Sequence, residues 1–149
     1  MKTAIIIDDE PLARSIITEY LLAFPEIEIV QQCENGFEGL KAIKELHPDL
    51  VFLDIQMPKI NGFEMLELLE QKPAIIFTTA FEEYAIKAFE AHAIDYLLKP
   101  FDESRFARSM EKFFQQTLPG TESLDILVKE GSGFPNQSER IVVKTGNKI

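Results

Sequence analysis

The 149 residues predict an α/β fold: a doubly wound parallel sheet of five strands with helices on both faces. Two observations carry this. Five short apolar runs, at 4–7, 27–30, 50–53, 74–77 and 94–98, are mostly β-branched and lack polar alternation, as strands do when both faces are covered. Longer segments with helical spacing separate them, and strict strand–helix alternation implies parallel strands joined by right-handed crossovers.

Each segment has its own start and stop. Behind the first run, Pro11 suits a first helical turn. Leu12, Ile16, Ile17, Tyr20, Leu21 and Phe24 then fall on one stripe, ended by Pro25. Asn35 with Glu38 reads as a capping box ahead of Phe37, Leu40, Ile43 and Leu46, and Pro48 closes that helix. Asn61-Gly62 opens a third segment carrying Phe63, Leu66 and Leu69, closed by Pro73. Residues 82–90 form a weaker helix, because Tyr84, Ile86 and Phe89 make no clean single stripe. Asp102 caps a last helix with Phe106, Met110 and Phe113.

The character changes after about Gln116. Residues 117–123, with Pro119 and Gly120, read as a linker. Residues 124–129 suit a strand, 130–138 a loop, and 140–144 alternate like another strand before the turn Thr145-Gly146-Asn147. The chain thus reads as one domain followed by the opening of something further.

Composition narrows the function classes. The 46% hydrophobic and 27% charged content is an ordinary globular balance. A net charge of −10 disfavours direct grip on a polyanion. With Cys33 the single cysteine, no internal disulfide is possible, which fits a reducing compartment. The apolar run at 4–7 is too short for a signal-peptide core, and no stretch is long enough to span a bilayer, so the expected location is cytoplasmic, away from membranes.

The polar residues at strand ends carry the chemistry. Asp8 and Asp9 end the first strand, Asp54 the third, Thr79 the fourth and Lys99 the fifth. Open α/β sheets place sites outside the carboxyl ends of strands, where the winding reverses. If the first and third strands are neighbours there, three carboxylates converge, and such crowding needs a cation or a proton. Oxygen-only ligands suit Mg²⁺. Taken singly, each residue has an ordinary reading: an acidic helix start, a strand-end turn, a solvated lysine, a β-branched strand residue. Together they supply a nucleophile, a cation site and donors for phosphoryl oxygens. Pro100 stands at a strand-to-helix corner, where a cis peptide is tolerated. His47 and His92 have no metal-ligand companions and read as helix-end or surface residues.

Five stretches then resemble the response-regulator receiver family: Ile7-Asp8-Asp9-Glu10-Pro11, Phe52-Leu53-Asp54-Ile55-Gln56-Met57-Pro58, Asn61-Gly62, Thr78-Thr79-Ala80 and Tyr96-Leu97-Leu98-Lys99-Pro100-Phe101. The resemblance covers residues 1–116 and implies a flavodoxin-like sheet of order 2-1-3-4-5. It implies that Asp54 is the phosphoacceptor, charged by a sensor histidine kinase. Mg²⁺ would be held by Asp9, Asp54 and the backbone carbonyl of Gln56, with Asp8 helping through water. Lys99 and Thr79 would hold phosphoryl oxygens, and Tyr96 would be the aromatic partner of Thr79 in the switch. Such a domain is no enzyme beyond its own phosphorylation and dephosphorylation.

A narrower resemblance runs through 78–90 and Ala93-Ile94-Asp95-Tyr96, which look like receivers joined to LytTR-type DNA-binding domains. On that reading 117–139 is a linker and 140–149 a stub of the output domain, so that DNA is contacted only by sequence beyond Ile149. Tyr84, Ile86, Phe89 and Tyr96 would form a face, of the fourth helix, fifth strand and fifth helix, that pairs two copies on phosphorylation. Competing readings are a stand-alone relay receiver and a Mg²⁺-dependent phosphate hydrolase. The hydrolase pattern wants a second acid two residues after a first-strand nucleophile, and Glu10-Pro11 does not continue Asp8-Asp9 that way. A nucleotide-binding module lacks its glycine-rich loop.

Overall fold

Parallel strands need crossovers, and every crossover in this computed structural model is helical. It describes residues 1–117. The elements run β1 (Lys2–Ile7), α1 (Pro11–Leu21), β2 (Ile27–Cys33), α2 (Gly36–Leu46), β3 (Leu50–Asp54), α3 (Gly62–Glu67), β4 (Ala74–Thr79), a 3-10 turn (Glu82–Tyr84), α4 (Ala85–Glu90), β5 (Asp95–Leu98) and α5 (Glu103–Thr117). The sheet order is β2-β1-β3-β4-β5, parallel throughout. Met1–Ser109 form one compact unit, and the described part of the second unit is the end of α5. Thr117 is helical, where a linker was expected to start; the rest of the expected linker, and the 140–149 stub, lie outside the described residues. No helix among the described residues is long and apolar enough to cross a membrane.

The unbroken apolar runs have the expected cause at the centre of the sheet. Ala4–Ile7 and Leu50–Leu53 are wholly buried. The edge strands differ: β2 is buried only at its ends, Ile27 and Cys33, and runs three residues past the apolar run. On one face, Ile5, Ile7, Val51, Leu53, Ile75 and Phe77 pack with α2 and α3 side chains. On the other, Phe106 of α5 stacks on Phe52, with ring centroids 5.5 Å apart, and Tyr20 of α1 lies 5.5 Å from Phe106. At the β5 edge, Arg105 forks onto Asp95 at 2.7 and 2.9 Å and reaches the Tyr96 carbonyl at 3.0 Å. This bidentate pairing pins the Tyr96 backbone.

Three local expectations need correction. Leu12 opens the α1 stripe but is 72% exposed; burial on that helix is at Ile17 and Leu21. On α2, Phe37 and Leu46 are exposed, and the buried face is Gly36, Gly39, Ala42 and Ile43. The helix sits so close that a Cβ on Gly39 would meet Ile7 Cδ1 at 2.4 Å. A stripe read from large side chains cannot reveal a face made of small ones. Finally, the Asn35 side chain does accept from Glu38 N–H, but Glu38 reaches back to the N–H of Glu34. The complete capping box is at Asn61 and Glu64, opening α3, which ends at Glu67, well before Pro73.

That α3 start abuts the end of β3. Gly62 N–H donates to the Ile55 carbonyl at 2.9 Å, and a Cβ at Gly62 would lie 2.7 Å from the Asp54 carbonyl oxygen. Backbone on both sides leaves no room to yield. Gly62→Ala is therefore expected to destabilise the fold by about 1–3 kcal/mol, seen as a lower urea midpoint; an unchanged midpoint would mean the β3–α3 turn is free to shift.

Candidate functional site

Adjacent parallel strands in matched register end level, and that brings the acids together. Ile7 of β1 pairs with Leu53 of β3, so Asp8 and Asp54 emerge side by side at the carboxyl edge. Asp8 N–H donates to Cys33 O on one side, and Ile55 N–H to Thr78 O on the other. Lys99 N–H bonds Thr79 O at 2.7 Å, fixing the end of β5 against β4, and the Lys99–Pro100 peptide is cis.

Asp8 and Asp54 are buried while Asp9 is exposed. A carboxylate oxygen from each lies within 4.8 Å of the others. Lys99 Nζ stands 2.9 Å from Asp8 Oδ2, 3.0 Å from Glu10 Oε1 and 3.7 Å from Asp54 Oδ1. Arg14 donates to the Asp8 carbonyl at 2.7 Å, and Asp8 Oδ1 accepts from Glu10 N–H at 2.9 Å. One ammonium thus serves three carboxylates. Burial tends to lower the Lys99 pKa, but Asp8, Glu10 and Asp54 outweigh it and hold the ammonium above its usual range. Asp54 moves the other way from an ordinary carboxylate. Burial first, then the charge of Asp8, push it up to about 8, against the pull of Lys99. The site is short of positive charge. Its donor set is all oxygen, and a hard divalent cation there would relieve the repulsion.

Thr79 and Tyr96 are linked through one residue. Thr79 Oγ1 accepts from Phe81 N–H at 3.2 Å, and the Tyr96 hydroxyl donates to the Phe81 carbonyl. Gln56 lies two residues beyond Asp54, in the turn after β3, and its side-chain amide donates to the Tyr84 hydroxyl at 3.0 Å. The expected site residues Asp8, Asp9, Asp54 and Lys99 are therefore gathered, with Thr79 at the neighbouring strand end. Sequence reasoning missed Glu10 as a partner of Lys99; its place beside an acid pair was the available signal. It also missed Phe81 as the link between Thr79 and Tyr96. His47 and His92 take no part: both have positive φ, 47° and 62°, just after α2 and α4, as the helix-end reading requires.

Residues 4–111 match the family described as Response regulator receiver domain. The chain belongs to this family. Among curated relatives, the receiver is 52% identical over 118 residues to the transcriptional regulatory protein BtsR of Escherichia coli K12, covering 78% of this chain and 49% of that protein. It is 44% identical over 151 residues to an uncharacterised response regulatory protein of Shewanella oneidensis, covering 100% of this chain and 61% of the relative. The chain thus spans about half the length of most curated relatives it matches. Among solved structures, it resembles the response regulatory domain of Klebsiella pneumoniae mrkE (33% identity, TM-score 0.70, 82% of this chain and 99% of that one). It also resembles Thermotoga maritima TrrA, solved in complex with Mg²⁺ and BeF (34% identity, TM-score 0.66, 76% and 99%).

Proposed function

We propose that this receiver accepts a phosphoryl group on Asp54 from a sensor histidine kinase and thereby switches a DNA-binding output domain, regulating transcription. The observation that carries the reading is Asp54 itself. It is a buried carboxylate at a strand end, flanked by Asp8 and Asp9, with the Lys99 ammonium 3.7 Å away.

Asp8, Asp9, Asp54 and the backbone carbonyl of Gln56 are the residues that would hold Mg²⁺. When bound, the ion supplies charge neutralisation for phosphoryl oxygens. The protein's own part is as follows. An Asp54 carboxylate oxygen attacks phosphorus, the O–P bond forms, and the N–P bond of the kinase phosphohistidine breaks with its electron pair returning to the imidazole. Lys99 turns from Glu10 to a phosphoryl oxygen. Thr79 Oγ1 gives up the Phe81 N–H to hydrogen-bond another, and Tyr96 moves with the Phe81 peptide it holds.

The domain division follows the same reading: receiver at 1–116, linker at 117–139, and at 140–149 the start of an output domain that alone contacts DNA. The full-length match to the longer Shewanella oneidensis relative supports it, as does the BtsR relative's name as a transcriptional regulator. The motif through 78–96 favours a LytTR-type output. A cytoplasmic location suits the buried free thiol of Cys33. The test is incubation with acetyl phosphate and Mg²⁺, read by intact mass: one phosphate gained, and none with the cation chelated. No Mg²⁺-dependent gain by a folded chain rejects the reading.

The output face is α4–β5–α5. Ile86 and Phe89 on α4 are 74% and 79% exposed, more apolar surface than a six-residue helix needs to leave in water. Fluoroberyllate with Mg²⁺ is expected to convert the chain to a dimer in sedimentation experiments, and Ile86→Asp to weaken that dimer about tenfold or more. An unchanged mass would reject the face.

A further inference from the structure

Thr79 and Tyr96 do not make the only connection between the acidic site and α4. A second begins at Gln56, on the other side of Asp54. Its amide crosses from the β3–α3 turn to the Tyr84 hydroxyl at 3.0 Å. Tyr84 is the last residue of the 3-10 turn and the residue from which α4 starts, with no side-chain cap of its own. Its half-buried ring lies 6.0 Å from the Phe63 ring of α3 and 6.3 Å, edge-on, from Phe81.

The segment 79–84 is therefore tied at several points. Phe81 N–H is held by Thr79 Oγ1, the Phe81 carbonyl by Tyr96, and the Tyr84 hydroxyl by Gln56. Beyond the last tie, α4 buries only Ala88. Its placement therefore leans on this entry together with Lys87, which sits over the Phe63 ring at 4.9 Å. The tie reaches Gln56, so the turn after Asp54 is joined directly to the Tyr84 hydroxyl.

We propose that Tyr84 is a positioning residue, and that the Gln56–Tyr84 hydrogen bond holds α4 in the arrangement of the unphosphorylated receiver, opposing phosphoryl capture at Asp54. This rests on the receiver reading. A bond that the phosphorylated arrangement breaks stabilises the unphosphorylated one, and a ligand favouring the other state must overcome it. Removing the hydroxyl while keeping the ring tilts the balance toward the phosphorylated arrangement.

The experiment is calorimetric titration of the 149-residue chain with fluoroberyllate in Mg²⁺, for the parent, Tyr84→Phe, Gln56→Leu and the double variant. Tyr84→Phe is expected to bind fluoroberyllate about threefold tighter, the scale of one exposed neutral hydrogen bond, with Mg²⁺ affinity unchanged. Gln56→Leu should give a similar gain and the double variant no more than either single one. That non-additivity would not arise from two unrelated packing defects. Equal or weaker fluoroberyllate binding by Tyr84→Phe, beside a parent that binds, overturns the lock and leaves the receiver reading intact. Additive gains in the double variant overturn it too. A parent that binds no fluoroberyllate overturns both.

Discussion

Asp54→Asn is expected to gain no phosphate from acetyl phosphate under conditions where the parent gains one. Asparagine keeps the shape and loses the charge. Its amide is no nucleophile toward phosphorus, and it cannot complete the oxygen set with Asp8 and Asp9. Loss should be complete, because no other carboxylate among the described residues is equivalently placed. Asp9 is exposed, and Asp8 is already bound to Lys99 at 2.9 Å and to Glu10 N–H. The measurement is intact mass, followed by peptide mapping of the modified residue. Phosphate retained by Asp54→Asn would move the acceptor to Asp8 or Asp9 and require a different reading of the strand-end geometry.

The second large effect is on stability, and its sign follows from Asp54. The folded carboxyl is pushed from 3.8 up to about 8 by burial and by Asp8. The folded state therefore holds a proton across a range in which the unfolded state has released it. That contribution to stability is fully present below pH 4 and is lost as pH rises through 8. Without divalent cations, the parent should melt lower at pH 8 than at pH 5, by on the order of 5 °C. Asp54→Asn lacks the titrating group and should lose less over the same window, so that near pH 8 it is the more stable protein. Mg²⁺ should raise the parent at pH 8 and leave the variant nearly unmoved. Melting curves with and without chelator decide it. Parallel losses for parent and variant would locate the pH dependence elsewhere.

Alternation of apolar runs and helical segments was enough to read the sheet class, because β1, β3 and β4 are buried and their sequences carry no competing pattern. The strand ends were equally legible, since Asp8, Asp54 and Lys99 each follow an apolar run directly. What the sequence hid depends on distance between elements. The inner face of α2 is small residues, visible only once Gly39 is seen against Ile7. The Lys99–Glu10 contact joins positions 89 apart, and the Gln56–Tyr84 bond joins 28. The segment at 82–90 showed no clean stripe for a physical reason: it is a 3-10 turn followed by a short helix, and it buries a single alanine.

That single alanine has a wider consequence. Local opening costs roughly what the opened piece has buried, so the free-energy map of the domain is uneven. Backbone amides of β1 and β3, enclosed on both sides, would exchange with solvent only on global unfolding. Those of α4 have one buried side chain of that helix, Ala88, behind them, and would open at lower cost. The receiver thus joins a thinly buried helix to the crowded charges at its strand ends. On the proposed reading, a change of charge at Asp54 would re-set α4 at low cost while the sheet stays as it was.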